Sequence, residues 1–162
     1  MWKKILFFMT GIFFIFSANV SAESMNISED NLQTFVGKCN AILRAGDPNS
    51  SLDIPAESVE GFDGVNNFVD SSLPITITYG VKNDKISFVM LSVEKYDENT
   101  KKYFDGLSII FLKTLGLTDD EVKSFLNEKI ETTWQRDGFI SRLNKKFVVR
   151  FLANNQIIFA EK

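Results

Sequence analysis

Stretches of hydrophobic and polar residues divide the chain into an apolar leader and a series of amphipathic segments. The leader begins with Lys3 and Lys4, continues as an uncharged apolar run over residues 5–16, and ends in Val20-Ser21-Ala22. A positive start, an apolar run and small residues at the cut are typical of a secretory signal. About a dozen apolar residues are fewer than the roughly 20 that a membrane span needs. We therefore expect cleavage after Ala22, with Ala18 as the second choice.

The first amphipathic segment after the leader has the spacing of a helix. Ser28 is predicted as its N-cap and Gly46 as a left-handed C-terminal cap. The apolar positions recur with a period near 3.6 residues, and they are Leu32, Phe35, Val36, Cys39, Ile42 and Leu43. Cys39 lies in the middle of this apolar face, so we predict a buried, unreactive thiol.

Residues 47–74 break the pattern, because they contain all three prolines, two glycines and only isolated apolar residues. We predict a long irregular connection, and such connections are often binding loops. The alternative is a short helix or edge strand around residues 65–69. Oxygen-bearing side chains over residues 63–70 lack the alternating acids and the distal glutamate of a calcium loop, so no metal site is predicted.

The rest of the chain predicts two strands, two helices and three more strands. Residues 75–79 and 86–93 make a hairpin, a helix begins near Thr100 and ends at Gly116 in a Schellman motif, and Thr118 to Glu121 is a capping box. Residues 139–143, 147–152 and 156–160 form a meander with turns at residues 144–145 and 154–155. Residues 131–137 fit either helix or strand. The expected class is α+β, with an antiparallel sheet of about five strands and about three helices on one face.

Composition excludes more classes of function than any motif does. The whole chain has no histidine, one cysteine and a net charge of -3. The absence of histidine excludes a Ser/His/Asp triad, a Cys/His dyad and a histidine-ligated zinc site, and a single cysteine excludes an intrachain disulfide. Mild acidity without a basic stripe argues against nucleic acid and anionic membranes as partners. No cofactor is indicated.

We therefore expect one domain over residues 23–162, periplasmic or secreted, that is not an enzyme and binds another protein of unknown identity. An inhibitor, an immunity-type protein or an assembly factor would have these properties. The alternatives are a small apolar-ligand carrier, whose cavity the many phenylalanines would line, and a hydrolase built on two carboxylates. The candidate contact residues are Phe62 and Phe68 in the connection, and Trp134 and Arg136, because aromatic and arginine side chains are frequent at important contacts.

Overall fold

The computed structural model describes residues 26–95, 97–131, 139–141, 147–152 and 156–161. Three α-helices and seven strands lie in these ranges. The helices are α1 (Leu32–Gly46), α2 (Glu98–Thr114) and α3 (Asp119–Glu131). The strands are β1 (Ser58–Glu60), β2 (Asn66–Asp70), β3 (Thr76–Lys82), β4 (Lys85–Ser92), β5 (Phe139–Ser141), β6 (Phe147–Leu152) and β7 (Gln156–Glu161), with a 3-10 turn at Phe62–Gly64.

All described strands join one antiparallel sheet in the order β1-β2-β3-β4-β7-β6-β5. The predicted α+β class is confirmed, and each of the five predicted strands is present. The two additional strands, β1 and β2, lie in the connection that was predicted to be irregular. That prediction was wrong for residues 58–60 and 66–70. The alternative of a short helix or edge strand around residues 65–69 gives the right element type, a strand, for the second range only. β2 is an inner strand, however, and β1 forms the sheet edge.

The first helix begins at a different residue from its prediction and has a different type of C-terminal cap. Asn31 is the N-cap, because its side-chain oxygen accepts a hydrogen bond from the Thr34 amide at 2.8 Å. Ser28 instead forms an isolated bridge with Ile86, in which the Ser28 amide donates to the Ile86 carbonyl at 3.2 Å. The helix does end at Gly46, but the left-handed cap is wrong, since Gly46 does not have a positive φ and Asp47 follows in an extended conformation with φ -142°.

The predicted boundary between the second and third helices is confirmed in detail. Gly116 has φ +90°, its amide donates to the Lys113 carbonyl at 2.9 Å, and the Leu117 amide donates to the Leu112 carbonyl at 3.0 Å. This is the pair of bonds of a Schellman motif. Thr118 and Glu121 then exchange the two hydrogen bonds of a capping box, at 2.8 and 3.3 Å. Helix α2 itself begins two residues earlier than predicted, after an Asp97 N-cap.

The main core lies between the helices and one face of the sheet. Rings from α1, α2, β3 and β7 meet there: Phe35 and Tyr79 contact Phe111 with centroids 6.2 and 6.3 Å away, and Phe159 lies 6.0 Å from Phe111. All four side chains are fully buried. Edge-to-face and offset contacts at these separations are favourable beyond the burial of area alone.

A second, smaller cluster lies on the opposite face of the sheet and contains Val65, Phe88, Met90 and Ile158. A β-carbon on Gly80 would come within 2.2 Å of the Phe88 ring, so only glycine lets the ring lie against β3 at this point. No helix in the described part of the chain is both long and apolar enough to cross a membrane.

Candidate functional site

The chain's single cysteine lies in the core, where burial suppresses its chemistry. Cys39 is fully buried and unpaired, as predicted, and its sulfur lies 3.3 Å from Thr114 Oγ1. Burial raises the pKa of the Cys39 thiol from 9.0 to about 12, because a thiolate loses its hydration there. The thiolate is the nucleophilic form of cysteine, so burial disfavours reaction of Cys39 near neutral pH.

Tyr79 lies nearby and is also chemically suppressed. Its hydroxyl is buried and has no hydrogen-bond partner, and burial raises its pKa, with smaller contributions from Cys39 and Asp70. Asp70 is itself buried; one of its oxygens accepts the Ser72 amide at 2.8 Å, and the other has no partner. Cys39, Tyr79 and Asp70 lie among packed core side chains, and no hydrogen bond joins them as an acid–base pair.

The packing of the core also bears on the apolar-carrier alternative. That alternative requires aromatic side chains to line a cavity between helices and sheet. The rings of Phe35, Tyr79, Phe111 and Phe159 instead contact one another across the centre of this space. Their arrangement favours the interpretation that the phenylalanines fill a core.

The connection between α1 and β3 presents the most exposed apolar surface. Among side chains whose burial is described, four large hydrophobic ones are exposed: Ile54 (46%), Val59 (49%), Phe62 (63%) and Tyr103 (42%). Three of these four lie within residues 54–62. Val59 and Phe62 are three residues apart, so their Cα atoms are separated by no more than roughly 11 Å.

Two anchors hold this exposed stretch in place. Before it, Leu52 is buried, and its amide and carbonyl both bond the Asn40 side chain, at 2.6 and 3.0 Å. After it, the Gly61 amide donates to the carbonyl of buried Val65 at 2.8 Å. A β-carbon on Gly61 would lie 2.4 Å from the Asn67 side chain, so this close return of the chain requires glycine. The stretch between the anchors is therefore ordered by the core at both ends.

The chain in and around this exposed stretch is strongly acidic. Six carboxylates and no lysine or arginine occur between Arg44 and Lys82. Asp53, Glu57, Glu60 and Asp63 are all exposed, and among described residues only Asp63 forms an ion pair, with Lys82 at 3.2 Å. We call this surface the acidic edge; its members are Asp53, Ile54, Glu57, Val59, Glu60, Phe62 and Asp63.

The structure separates the two phenylalanines that the sequence analysis grouped together. Phe62 is exposed in the 3-10 turn, whereas Phe68 on β2 is half-buried and packs against the main core. This placement favours a packing role for Phe68, and we do not include it in the acidic edge. Trp134 and Arg136, the ambiguous segment 131–137 beyond Glu131, and the two predicted C-terminal turns lie outside the described residues.

Ile54 and Val59 were missed by the sequence analysis. A usable signal was present, since each is an isolated apolar residue in a stretch that has acids but no basic residue. Within the described residues, no group of three or more acidic, cysteine or histidine side chains is placed to hold a metal ion.

Comparison with known proteins gives no relative from which a role could be transferred: no family model, no curated protein and no solved structure matches this chain. The acidic edge is therefore the feature of this chain that bears on its function.

Proposed function

We propose that this chain is an exported, non-catalytic protein-binding domain, and that the acidic edge is its contact surface. The observation that carries the proposal is the concentration of exposed apolar side chains at Ile54, Val59 and Phe62, next to four exposed acids. Exposed apolar groups rimmed by polar ones are common at protein contact sites. The leader over residues 1–22 supports export to the periplasm or cell exterior.

The core argues for binding over catalysis. Two core side chains with nucleophilic potential, Cys39 and Tyr79, are buried and have raised pKa values. An acidic contact surface fits a basic partner, and it repels nucleic acid and anionic lipid. An inhibitor, an immunity-type protein or an assembly factor would each use such a surface.

The proposal is tested by cross-linking the purified domain, residues 23–162, in an extract of the compartment to which it is exported. The double variant Val59→Ser/Phe62→Ser should lose the specific cross-linked partner. Tyr103→Ser is the matched control, because Tyr103 is similarly exposed but lies on α2, outside the acidic edge.

Equal retention of the partner by the double variant and the control would contradict the proposed surface. Retention of residues 1–22 on the released protein, measured by intact mass, would contradict export by signal cleavage.

A further inference from the structure

We propose that the acidic edge binds its partner by strand addition. In this mode an extended segment of the partner forms a ladder with β1, and that segment has an apolar residue flanked by lysine or arginine. This inference rests on the proposed function and specifies how the partner is recognised. Strand β1 ends the sheet in the described part of the chain, and all three of its side chains are exposed. An edge strand presents backbone donors and acceptors that another strand can use.

The ladder between β1 and β2 determines which backbone groups face outward. Val59 pairs with Asn67, and Ser58 and Glu60 pair with Phe68 and Asn66. The Gly61 amide bonds the Val65 carbonyl in the same register. Hydrogen-bonded and non-hydrogen-bonded pairs alternate along an antiparallel ladder. Val59 therefore directs its amide and carbonyl toward β2, while those of Ser58 and Glu60 face away from the sheet.

The side chains of β1 specify the chemistry of the added segment. Cross-strand neighbours share a face of the sheet. A residue added beside Glu60 lies on the side of that carboxylate, so a lysine or arginine there gains an opposite charge. The residue added beside Val59 lies on the other face, where an apolar side chain covers Val59. An apolar residue between basic residues satisfies both positions.

The buried Asn67 side chain lies directly across the ladder from Val59. It is 6% exposed, and its oxygen accepts no hydrogen bond. The face that Val59 occupies thus contains an acceptor that the described residues leave unused, although β1 separates it from the position where a new strand would lie.

Charge disfavours the other obvious occupant, a second copy of this chain. Pairing β1 with β1 would bring two sets of Asp53, Glu57 and Glu60 together, and like charges across a ladder are destabilising. Short, charged edge strands also protect sheets against self-association. That protective role alone leaves the exposure of Val59, Ile54 and Phe62 unexplained.

The test titrates residues 23–162 with a synthetic peptide of about nine residues in which lysine and valine alternate, a length typical of a strand. The same peptide with glutamate in place of lysine is the charge control. Binding should slow hydrogen exchange at the Ser58 and Glu60 amides and should weaken as salt is raised. Ser58→Pro removes an outward amide without affecting the β2 pairing and should reduce affinity about tenfold. Ser58→Ala keeps the amide and should bind normally.

Glu60→Gln should weaken lysine-peptide binding, whereas Glu94→Gln, an exposed acid beyond the end of β4, should not. Equal binding of both peptides, equal binding by Ser58→Pro and Ser58→Ala, or unchanged exchange at the two amides would overturn strand addition. So would a Glu60→Gln variant that self-associates while its peptide affinity is unchanged. If Ser58→Pro fails to fold, the exchange measurement on the unsubstituted protein decides. If Ser58→Pro still cross-links the partner that Val59→Ser/Phe62→Ser loses, strand addition fails and the proposed function stands.

Discussion

Replacing Phe62 and Phe68 separately with serine should affect stability very unequally. A phenylalanine side chain has roughly 200 Å² to bury. With 63% of Phe62 exposed, roughly 75 Å² is out of water, and this corresponds to about 1–2 kcal/mol at most. Phe68 packs against the main core and buries much more. Core Phe→Ala changes cost about 3–5 kcal/mol, so we expect about 3 kcal/mol for half-buried Phe68.

Urea unfolding followed by tryptophan fluorescence or circular dichroism measures both losses. With a slope of about 1.5 kcal/mol per molar urea, Phe68→Ser should lower the midpoint by about 2 M and Phe62→Ser by at most about 1.3 M. Tyr103→Ser, on the exposed side of α2, is the control for removing an exposed aromatic ring. Equal midpoint losses for Phe62 and Phe68 would refute the assignment of one to the surface and the other to the core.

Four further outcomes are expected. Released protein should begin at Glu23, and an intact mass that includes the leader would contradict this. Burial raises the pKa of Cys39 to about 12, so the thiol's contribution to stability is complete below pH 9 and is lost as the pH rises toward 12. The loss is up to about 1.4 kcal/mol per pH unit. Urea unfolding of Cys39→Ala should show a smaller alkaline decline, at a packing cost of about 1 kcal/mol. Tyr79→Phe removes a buried hydroxyl without a partner, so thermal unfolding should show equal or higher stability, and a loss of more than about 1 kcal/mol would indicate an unrecognised hydrogen bond. Gly80→Ala should destabilise by about 1–3 kcal/mol through contact with Phe88, and the added substitution Phe88→Leu should recover part of that loss.

Local interactions account for the features that sequence predicted best. The Schellman motif at Gly116 and the capping box from Thr118 to Glu121 involve residues at most five positions apart. Their side-chain types determine their geometry with little help from the rest of the fold. The turn between β3 and β4, which Lys82 and Lys85 flank, also depends on local residues. Asn83 and Asp84 adopt the positive φ values that this short turn requires.

The wrong predictions depend on contacts between distant residues. Ser28 and Asn31 are both good N-caps, and the contact of Ser28 with Ile86 is what leaves the role to Asn31. Strand β2 has the sequence NNFVD, which has weak strand preference, and it is extended because it pairs along β3.

The candidate site shows the same limit. Phe62 and Phe68 are identical in type and six positions apart, and only the sheet register places one against the core. The acidic character of the edge, by contrast, was readable from the sequence, because it follows from counting charges between Arg44 and Lys82.

The sheet order has a consequence for when the protein can fold. Strand β7, residues 156–161, lies between β4 and β6, so it alone joins the β1–β4 half of the sheet to the β5–β6 half. Phe159 on this strand also completes the aromatic cluster with Phe111. A nascent chain whose residues 156–161 have not yet emerged has two separate half-sheets and an incomplete core. The complete sheet can therefore form only after residues 156–161 have emerged, and such a delay would suit the unfolded translocation that our proposal of export implies.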